Sequence, residues 1–259
     1  MTVADLGFRE RCYIVTGGSR GIGRATCDLL LAAGAAVVTC ARAWPAGRTA
    51  EREHRLVLDV RRAADVEALC AAAIATFGRI DGAVSNAGVA CVGTVLDTAD
   101  ADLEDHIALR LLSAWRLVRH AAPHMAQAGG GAFVFLAGAA GVDPTPMLAA
   151  PGVVNAALQN LSRTVADEFA EARIRCNVVN PGTLDTRLGR DVIEAYAGRL
   201  GLDADLIRDE AFGALPLGRL PTAVDVANAV GFLLSDQAAM ITGSALTPDG
   251  GILVRRARG

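Results

Sequence analysis

The feature that most constrains the fold of this chain is a glycine-rich segment near its start, residues 13–25. An apolar stretch leads into Gly17, Gly21 and Gly23, which have the spacing G-x-x-x-G-x-G, and an apolar helical pattern follows. Glycines at these positions let the backbone turn tightly, let a ligand approach, and let the helix pack close to the strand. The free N–H groups at the start of such a helix favour a phosphate. The segment therefore predicts a strand-turn-helix unit that binds a diphosphate.

The rest of the chain alternates between short apolar runs and longer helical patterns. This alternation is typical of a parallel sheet with helices on both faces. We expect one α/β domain over residues 1–259, a doubly wound, mainly parallel, seven-stranded Rossmann fold. The predicted strands after the first include 36–40, 56–60, 81–85, 132–136 and 174–179, and the predicted helices include 22–33, 64–77, 99–127 and 148–170.

Composition narrows the function. The chain is 52% hydrophobic with a formal net charge of −3, so it has no basic surface for nucleic acid, and it has no apolar run of membrane-spanning length. The histidines and the six cysteines are scattered, which predicts reduced thiols and no metal site. The start of the chain has no apolar leader, so we expect a cytoplasmic protein. Because nucleic acid and membranes are not expected partners, we expect it to act on a small molecule.

Two arginines bear on the choice of cofactor. An acidic residue near the end of the second strand would favour NAD, but this chain has Arg42 there, and Arg20 lies within the glycine turn. Both could contact a 2′-phosphate, so NADP(H) is predicted over NAD(H). The alternative is that both are ordinary solvated surface arginines.

Three motifs together resemble the short-chain dehydrogenase/reductase family: Thr16-Gly-x-x-x-Gly21-x-Gly23, Asn86-Ala87-Gly88, and residues 180–186. The last, Asn-Pro-Gly-Thr-Leu-Asp-Thr, is similar to a turn that holds the nicotinamide in that family. The likeness covers nearly the whole chain. Together with the two arginines, it implies a set of cofactor-binding residues: Gly17, Ser19, Arg20, Gly21, Ile22, Gly23, Arg42, Asp59, Val60, Asn86, Ala87, Gly88, Asn155, Pro181, Gly182, Thr183 and Thr186.

The likeness ends at the catalytic residues. A typical member of the family carries an Asn-Ser-Tyr-Lys tetrad, in which tyrosine handles the proton and lysine lowers its pKa. Counting from flanking landmarks, those four positions are occupied here by Arg110, Gly138, Pro151 and Asn155. The chain contains no lysine, and its only tyrosines are Tyr13 and Tyr196. The usual proton donor is therefore missing, whatever the alignment.

Three hypotheses follow. The first is an NADP(H)-dependent reductase of an activated acceptor, an iminium or an enone, in which Arg110 binds an anion or polarises an oxygen. Asp143, His106 and Tyr196 are then the candidates for handling the proton or orienting Arg110. An ion pair between Arg110 and an acid such as Asp143 is the structural alternative. The second hypothesis is a non-redox cyclase, isomerase or dehydratase, and the third is a silent partner of an active relative.

Two further expectations concern the outer parts of the molecule. Residues 187–215 have a polar, helical pattern that the resemblance identifies as a mobile lid over the substrate. Six apolar residues on the long predicted helix predict a homodimer or homotetramer, with a mixed oligomer as the alternative: Leu109, Leu111, Leu112, Trp115, Leu117 and Val118.

Overall fold

A computed structural model describes residues 6–44, 51–145, 147–213 and 215–256. Its centre is a seven-stranded sheet with the strand order β3-β2-β1-β4-β5-β6-β7, in which every neighbouring pair is parallel. This confirms the predicted doubly wound fold. The strands are β1 (Cys12–Thr16), β2 (Ala36–Ala41), β3 (Glu53–Val57), β4 (Gly82–Ser85), β5 (Gly131–Leu136), β6 (Ile174–Val179) and β7 (Ala245–Leu246).

Helices cover both faces of the sheet, and the central strands β1, β2, β4, β5 and β6 are buried almost throughout. One apolar cluster contains residues of α2, α4 and α5, and the other contains residues of α1 and α8. No helix within the described ranges is both long and apolar enough to cross a bilayer. The helices are α1 (Gly21–Ala32), α2 (Ala63–Phe77), α3 (Asp100–His106), α4 (Ser113–Gln127), α5 (Ala149–Glu168), α6 (Arg187–Leu200), α7 (Ala204–Gly213), α8 (Ala223–Leu234) and α9 (Ile252–Arg256).

The third strand begins and ends three residues earlier than the sequence predicts. Its first residue, Glu53, is only 6% exposed, and its carboxylate contacts Arg24 at 2.5 Å and Arg55 at 2.8 Å. A charged residue such as glutamate is unusual in a buried strand, so the sequence suggests a loop at this position. The two arginine partners stabilise the buried carboxylate. The strand therefore stops at Val57, and Asp59 lies in the segment after it.

The long helix expected over residues 99–127 is interrupted by a widened turn. Residues 107–112 form a π-helical turn between α3 and α4. The Ser113 hydroxyl donates to the carbonyls of Leu109 at 2.6 Å and Arg110 at 3.2 Å, so it satisfies acceptors in the irregular turn. Such turns occur often at functional sites, and this one carries Arg110.

The apolar face predicted for oligomer contacts is smaller than expected. Leu109, Leu117 and Val118 are buried in the core of the monomer. Leu112 is 39% exposed and Trp115 is 50% exposed. Only part of the predicted set is thus free to contact another chain.

Residues 187–200 and 204–213 form a helix pair, as the polar pattern of the predicted lid suggested. Thr186 caps the first of these helices, because its hydroxyl accepts a hydrogen bond from the Gly189 N–H at 3.1 Å.

Candidate active site

A cavity of about 1190 Å³ opens at the end of the sheet where β1 and β4 finish. In a doubly wound sheet this is the point where the strand order reverses, and ligands bind there. All of the predicted cofactor-binding residues except Gly23 line the cavity. So do the three predicted catalytic residues, Arg110, Asp143 and Tyr196.

The glycine turn has the geometry that a diphosphate requires. Gly17 and Gly21 have φ values of +72° and +56°, which disfavour residues with a side chain. Gly23 lies beneath the turn instead of in the wall of the cavity, and a methyl group on it would sit 2.3 Å from the Gly17 carbonyl oxygen. Gly23 is therefore a packing residue. The Asn86 amide fastens the turn from the other side, donating to the Thr16 carbonyl at 2.9 Å.

A second segment further along the edge of the sheet also has a small residue where the backbone is close to its neighbours. A methyl group on Gly182 would lie 2.9 Å from Cβ of Asp249. Pro181, Gly182 and Thr183 can thus bring their backbone to a ligand. The residues present fit a nicotinamide dinucleotide along the whole length of the cavity.

At the end of the cavity beyond β2, two cations are accessible. Arg20 and Arg42 are exposed and line the cavity, and neither makes a salt bridge within the described residues, although Arg42 lies close enough to Asp59 to help lower its pKa. Asp59 is already engaged, since Arg61 Nη2 lies 2.6 Å from its carboxylate and holds its pKa below the ordinary value. Arg61 also contacts Asp105 at 2.7 Å. The sequence analysis missed Arg61, although its position two residues after Asp59 was a usable signal.

Arg110 occupies the centre of the site. Its Nη2 atom donates to the carbonyl oxygens of Leu136 at 2.6 Å and Ala137 at 3.0 Å, at the end of β5. These contacts differ from the structural alternative of an ion pair with an acid such as Asp143, since the acceptors seen here are backbone carbonyls and desolvation alone shifts the pKa of the guanidinium. Two backbone acceptors hold the group in place without neutralising it.

Burial shapes the charge state of this region. Desolvation lowers the pKa of Arg110 to about 10, so the guanidinium still carries its charge at neutral pH. His106, one turn earlier, is only 2% exposed, and burial together with the Arg110 charge lowers its pKa to about 4. Neither His106 ring nitrogen has a hydrogen-bond partner within the described residues. The site therefore holds a fixed cation beside a neutral imidazole.

The four residues expected at the tetrad positions, Arg110, Gly138, Pro151 and Asn155, all line the cavity. A methyl group on Gly88 would lie 3.0 Å from Nη1 of Arg110, and one on Gly138 would lie 2.9 Å from Nδ2 of Asn155. Asn155 is buried and its Oδ1 atom lacks a partner among the described residues. Pro151 lies in the first turn of α5, where the loss of an N–H is tolerated. Gly88 and Gly138 thus leave space for the side chains of Arg110 and Asn155.

Asp143 and Tyr196 complete the substrate side. Asp143 follows a short turn after β5, and Tyr196 projects from α6. The cavity wall beside them is mostly apolar. It is formed by residues of α6 and α7 and by the residue that precedes α5: Leu148, Leu188, Val192, Ile193 and Ile207. An ion pair between Arg199 of α6 and Asp97 joins the lid to the segment after β4.

Comparison with known proteins agrees with this geometry. Residues 17–253 match a family model described as enoyl-(acyl carrier protein) reductase. The chain is 36% identical to cis-4-hydroxycyclohexanecarboxylate dehydrogenase of Sinomonas cyclohexanicum, covering 94% of this chain and 97% of that one. It is 35% identical to 4-formylbenzenesulfonate dehydrogenase of Comamonas testosteroni, covering 95% and 99%.

Solved structures are similar as well. Aldohexose dehydrogenase of Thermoplasma acidophilum, in ligand-free form, superposes with a TM-score of 0.87 at 27% identity and 96% coverage of both chains. Three observations lead to the same conclusion: the glycine turn, the cavity where the strand order reverses, and the similarity to relatives over nearly the whole chain. This protein belongs to the short-chain dehydrogenase/reductase family of nicotinamide-dependent oxidoreductases.

Proposed function

We propose that this protein is an NADP(H)-dependent reductase of conjugated carbonyl compounds, and that Arg110 binds the oxygen of the acceptor. The observation that carries the proposal is the buried guanidinium held by the Leu136 and Ala137 carbonyls, two neutral acceptors that fix it and leave its charge in place. A fixed cationic donor stabilises negative charge that develops on an oxygen. It does not supply a proton, because a guanidinium keeps its protons.

An enone suits this donor set. When bound, NADPH would supply a hydride. In an enone that hydride would add to the β-carbon, the π electrons would move onto the oxygen beside Arg110, and the α-carbon would take its proton from water. Arg110 stabilises the enolate oxygen throughout, so no phenolic acid is needed at the moment of hydride transfer.

The charge of Arg110 favours an enone over an iminium acceptor. Two like charges about 5 Å apart repel by about 3 kcal/mol at an effective dielectric constant of about 20. A cationic acceptor would meet this repulsion beside the guanidinium. We therefore place the iminium among the acceptors that the protein reduces poorly.

The preference for NADP(H) rests on Arg20 and Arg42, which are exposed at the adenosine end. A charge-assisted contact to the 2′-phosphate contributes about 1.5–3 kcal/mol. Calorimetric titration should give at least tenfold tighter binding of NADP than of NAD. The double variant Arg20→Gln/Arg42→Gln should lose that preference while still binding NAD. Equal affinities in the native protein would contradict this part of the proposal.

The relatives suggest the shape of the substrate. Two of them are named for compounds that join a ring to an acid group, a carboxylate or a sulfonate. The apolar lid wall of this protein is suited to a ring. Cyclic enones with and without a carboxylate are therefore the first compounds to test.

The decisive assay follows NADPH oxidation with three matched acceptors: a cyclic enone, the corresponding saturated ketone, and a cyclic imine. We expect the enone to react fastest. Arg110→Gln should lower kcat about 10²-fold, in the range seen when one oxyanion donor is removed, with NADPH affinity changed less than threefold. Tyr196→Phe tests whether Tyr196 supplies the proton.

Rapid reduction of the plain ketone, unaffected by Arg110→Gln, would refute the proposal. NADPH binding without hydride transfer to any acceptor would instead favour the non-redox hypothesis. Copurification with an active relative would favour the silent-partner hypothesis.

A further inference from the structure

The adenosine end of the cavity has an aromatic side chain that no motif points to. Trp44 follows β2, two residues after Arg42, and its ring lines the cavity. The indole Nε1–H donates to the Leu56 carbonyl of β3 at 2.9 Å. This hydrogen bond fixes the edge of the ring against the sheet.

A cation also holds the ring of Trp44. The Arg55 guanidinium carbon lies 5.2 Å from the ring centroid, within the distance of a cation–π contact. Arg55 is itself held by the buried Glu53 at 2.8 Å, and Glu53 also binds Arg24 of α1. The indole is thus oriented by the strand and by a buried ion network before any ligand arrives.

Asp59 provides a second reason to examine this residue. The resemblance assigns Asp59 a hydrogen bond to the adenine, but Arg61 already contacts both of its carboxylate oxygens, at 2.6 to 3.1 Å. A carboxylate engaged in this way is a weaker partner for the adenine amino group. Another group must then hold the base, and an oriented aromatic ring in the cavity wall is suited to that.

We infer that Trp44 stacks on the adenine of the bound dinucleotide and fixes the adenosine half of the cofactor. The inference rests on the proposed binding of NADP(H), but not on which acceptor receives the hydride. Stacking of one base on an aromatic side chain corresponds to roughly a tenfold to hundredfold difference in affinity. Removing the ring should therefore weaken binding of any ligand that contains this adenosine.

The chain provides its own spectroscopic control because it has only two tryptophans, Trp44 and Trp115. Trp115 is on α4 and is not among the residues that line the cavity. In Trp115→Phe the emission comes from Trp44 alone. In Trp44→Phe it comes from Trp115 alone, while an aromatic ring remains at the site.

The test titrates adenosine 2′,5′-bisphosphate and NADP⁺ into the native protein, both Phe variants and Trp44→Ala, with calorimetry alongside fluorescence. We expect both ligands to quench the emission of Trp115→Phe and to leave that of Trp44→Phe unchanged. Trp44→Phe should bind within about threefold of the native protein. Trp44→Ala should bind both ligands about tenfold or more weakly. Thermal unfolding checks that each variant is folded.

Two outcomes would overturn the inference: native-like binding of the bisphosphate by Trp44→Ala, or calorimetric binding that leaves Trp44 emission unchanged. Failure of the proposed function looks different. The native protein would then bind neither NADP⁺ nor NAD⁺ by calorimetry, and this inference would fall with it. Binding of both dinucleotides without a response from Trp44 would overturn the stacking inference alone.

Discussion

We predict that a serine at position 138, where the sequence analysis expects the family's serine, destabilises this site and does not create a ketone reductase. In Gly138→Ser, the new Cβ would lie 2.9 Å from Nδ2 of Asn155, about 0.5 Å or more inside an ordinary contact. Asn155 has little room to withdraw, because its own Cβ is packed against Gly141 and the residue is only 4% exposed. Overpacking of this kind costs about 1–3 kcal/mol.

The assay is chemical denaturation of a double-mutant cycle. Gly138→Ser should lose about 1–3 kcal/mol of unfolding free energy, whereas Gly138→Ser/Asn155→Ala should recover part of that loss because the overlap is gone. Ala139→Ser, which adds the same hydroxyl to the neighbouring residue, is the matched control. No gain in ketone reduction is expected, since the chain still lacks the tyrosine and the lysine.

The reasoning would be refuted by a Gly138→Ser protein as stable as the native one, with energies that simply add in the cycle. It would also be refuted if this single change produced an efficient ketone reductase. Either result would mean that Arg110 and Asn155 do not define the shape of the site.

Three further predictions concern other parts of the molecule. The folded pKa of His106 lies near 4, below its unfolded value near 6.5, so between these values only the unfolded chain takes up the proton. The unfolding free energy should therefore fall by up to roughly 3 kcal/mol as pH drops through that window, and His106→Gln should flatten this dependence. Light scattering should show a dimer or tetramer, and Trp115→Glu should shift it towards monomer because that exposed ring would lie in the interface. Asp97→Asn should loosen the lid by weakening its contact with Arg199, raising the substrate KM and speeding proteolysis within α6 while leaving cofactor affinity unchanged.

The glycine turn and the overall topology follow directly from the sequence because they depend on local backbone requirements and on repeated apolar runs. The tight turn predicted from the glycine spacing is present, and Gly17 and Gly21 have positive φ values in it. The bounds of β3 could not be predicted in this way. Glu53 and Arg55 have the polarity of a loop, and only their tertiary ion pairs explain why a strand forms there.

The partner of Arg110 was beyond sequence reasoning for a related reason. Its acceptors are the backbone carbonyls of Leu136 and Ala137, and a carbonyl is present in every residue. The sequence analysis could offer only an acidic side chain such as Asp143 as an alternative partner, because nothing in a sequence shows which carbonyl will lie near a guanidinium. The π-helical turn that carries Arg110 was not predicted either, because such turns are rare and occur as single turns inside α-helices.

The absence of lysine, by contrast, is evident from the sequence because it concerns residue types and not their placement. The structure adds the surroundings of Arg110 and Asn155. A cation from the helix before β5 now lies where that strand ends, and Gly88 and Gly138 leave space for it and for Asn155. The proposed chemistry depends on this position of Arg110.

The most direct test of the central claim is deuteride transfer from NADPH labelled at C4 of the nicotinamide. The native protein and Arg110→Gln would be incubated with a cyclic enone, and the products analysed by mass spectrometry and NMR. Our account predicts one deuterium at the β-carbon of the saturated ketone, formed about 10²-fold more slowly by Arg110→Gln. Deuterium at the carbonyl carbon, or equal rates for the two proteins, would contradict it.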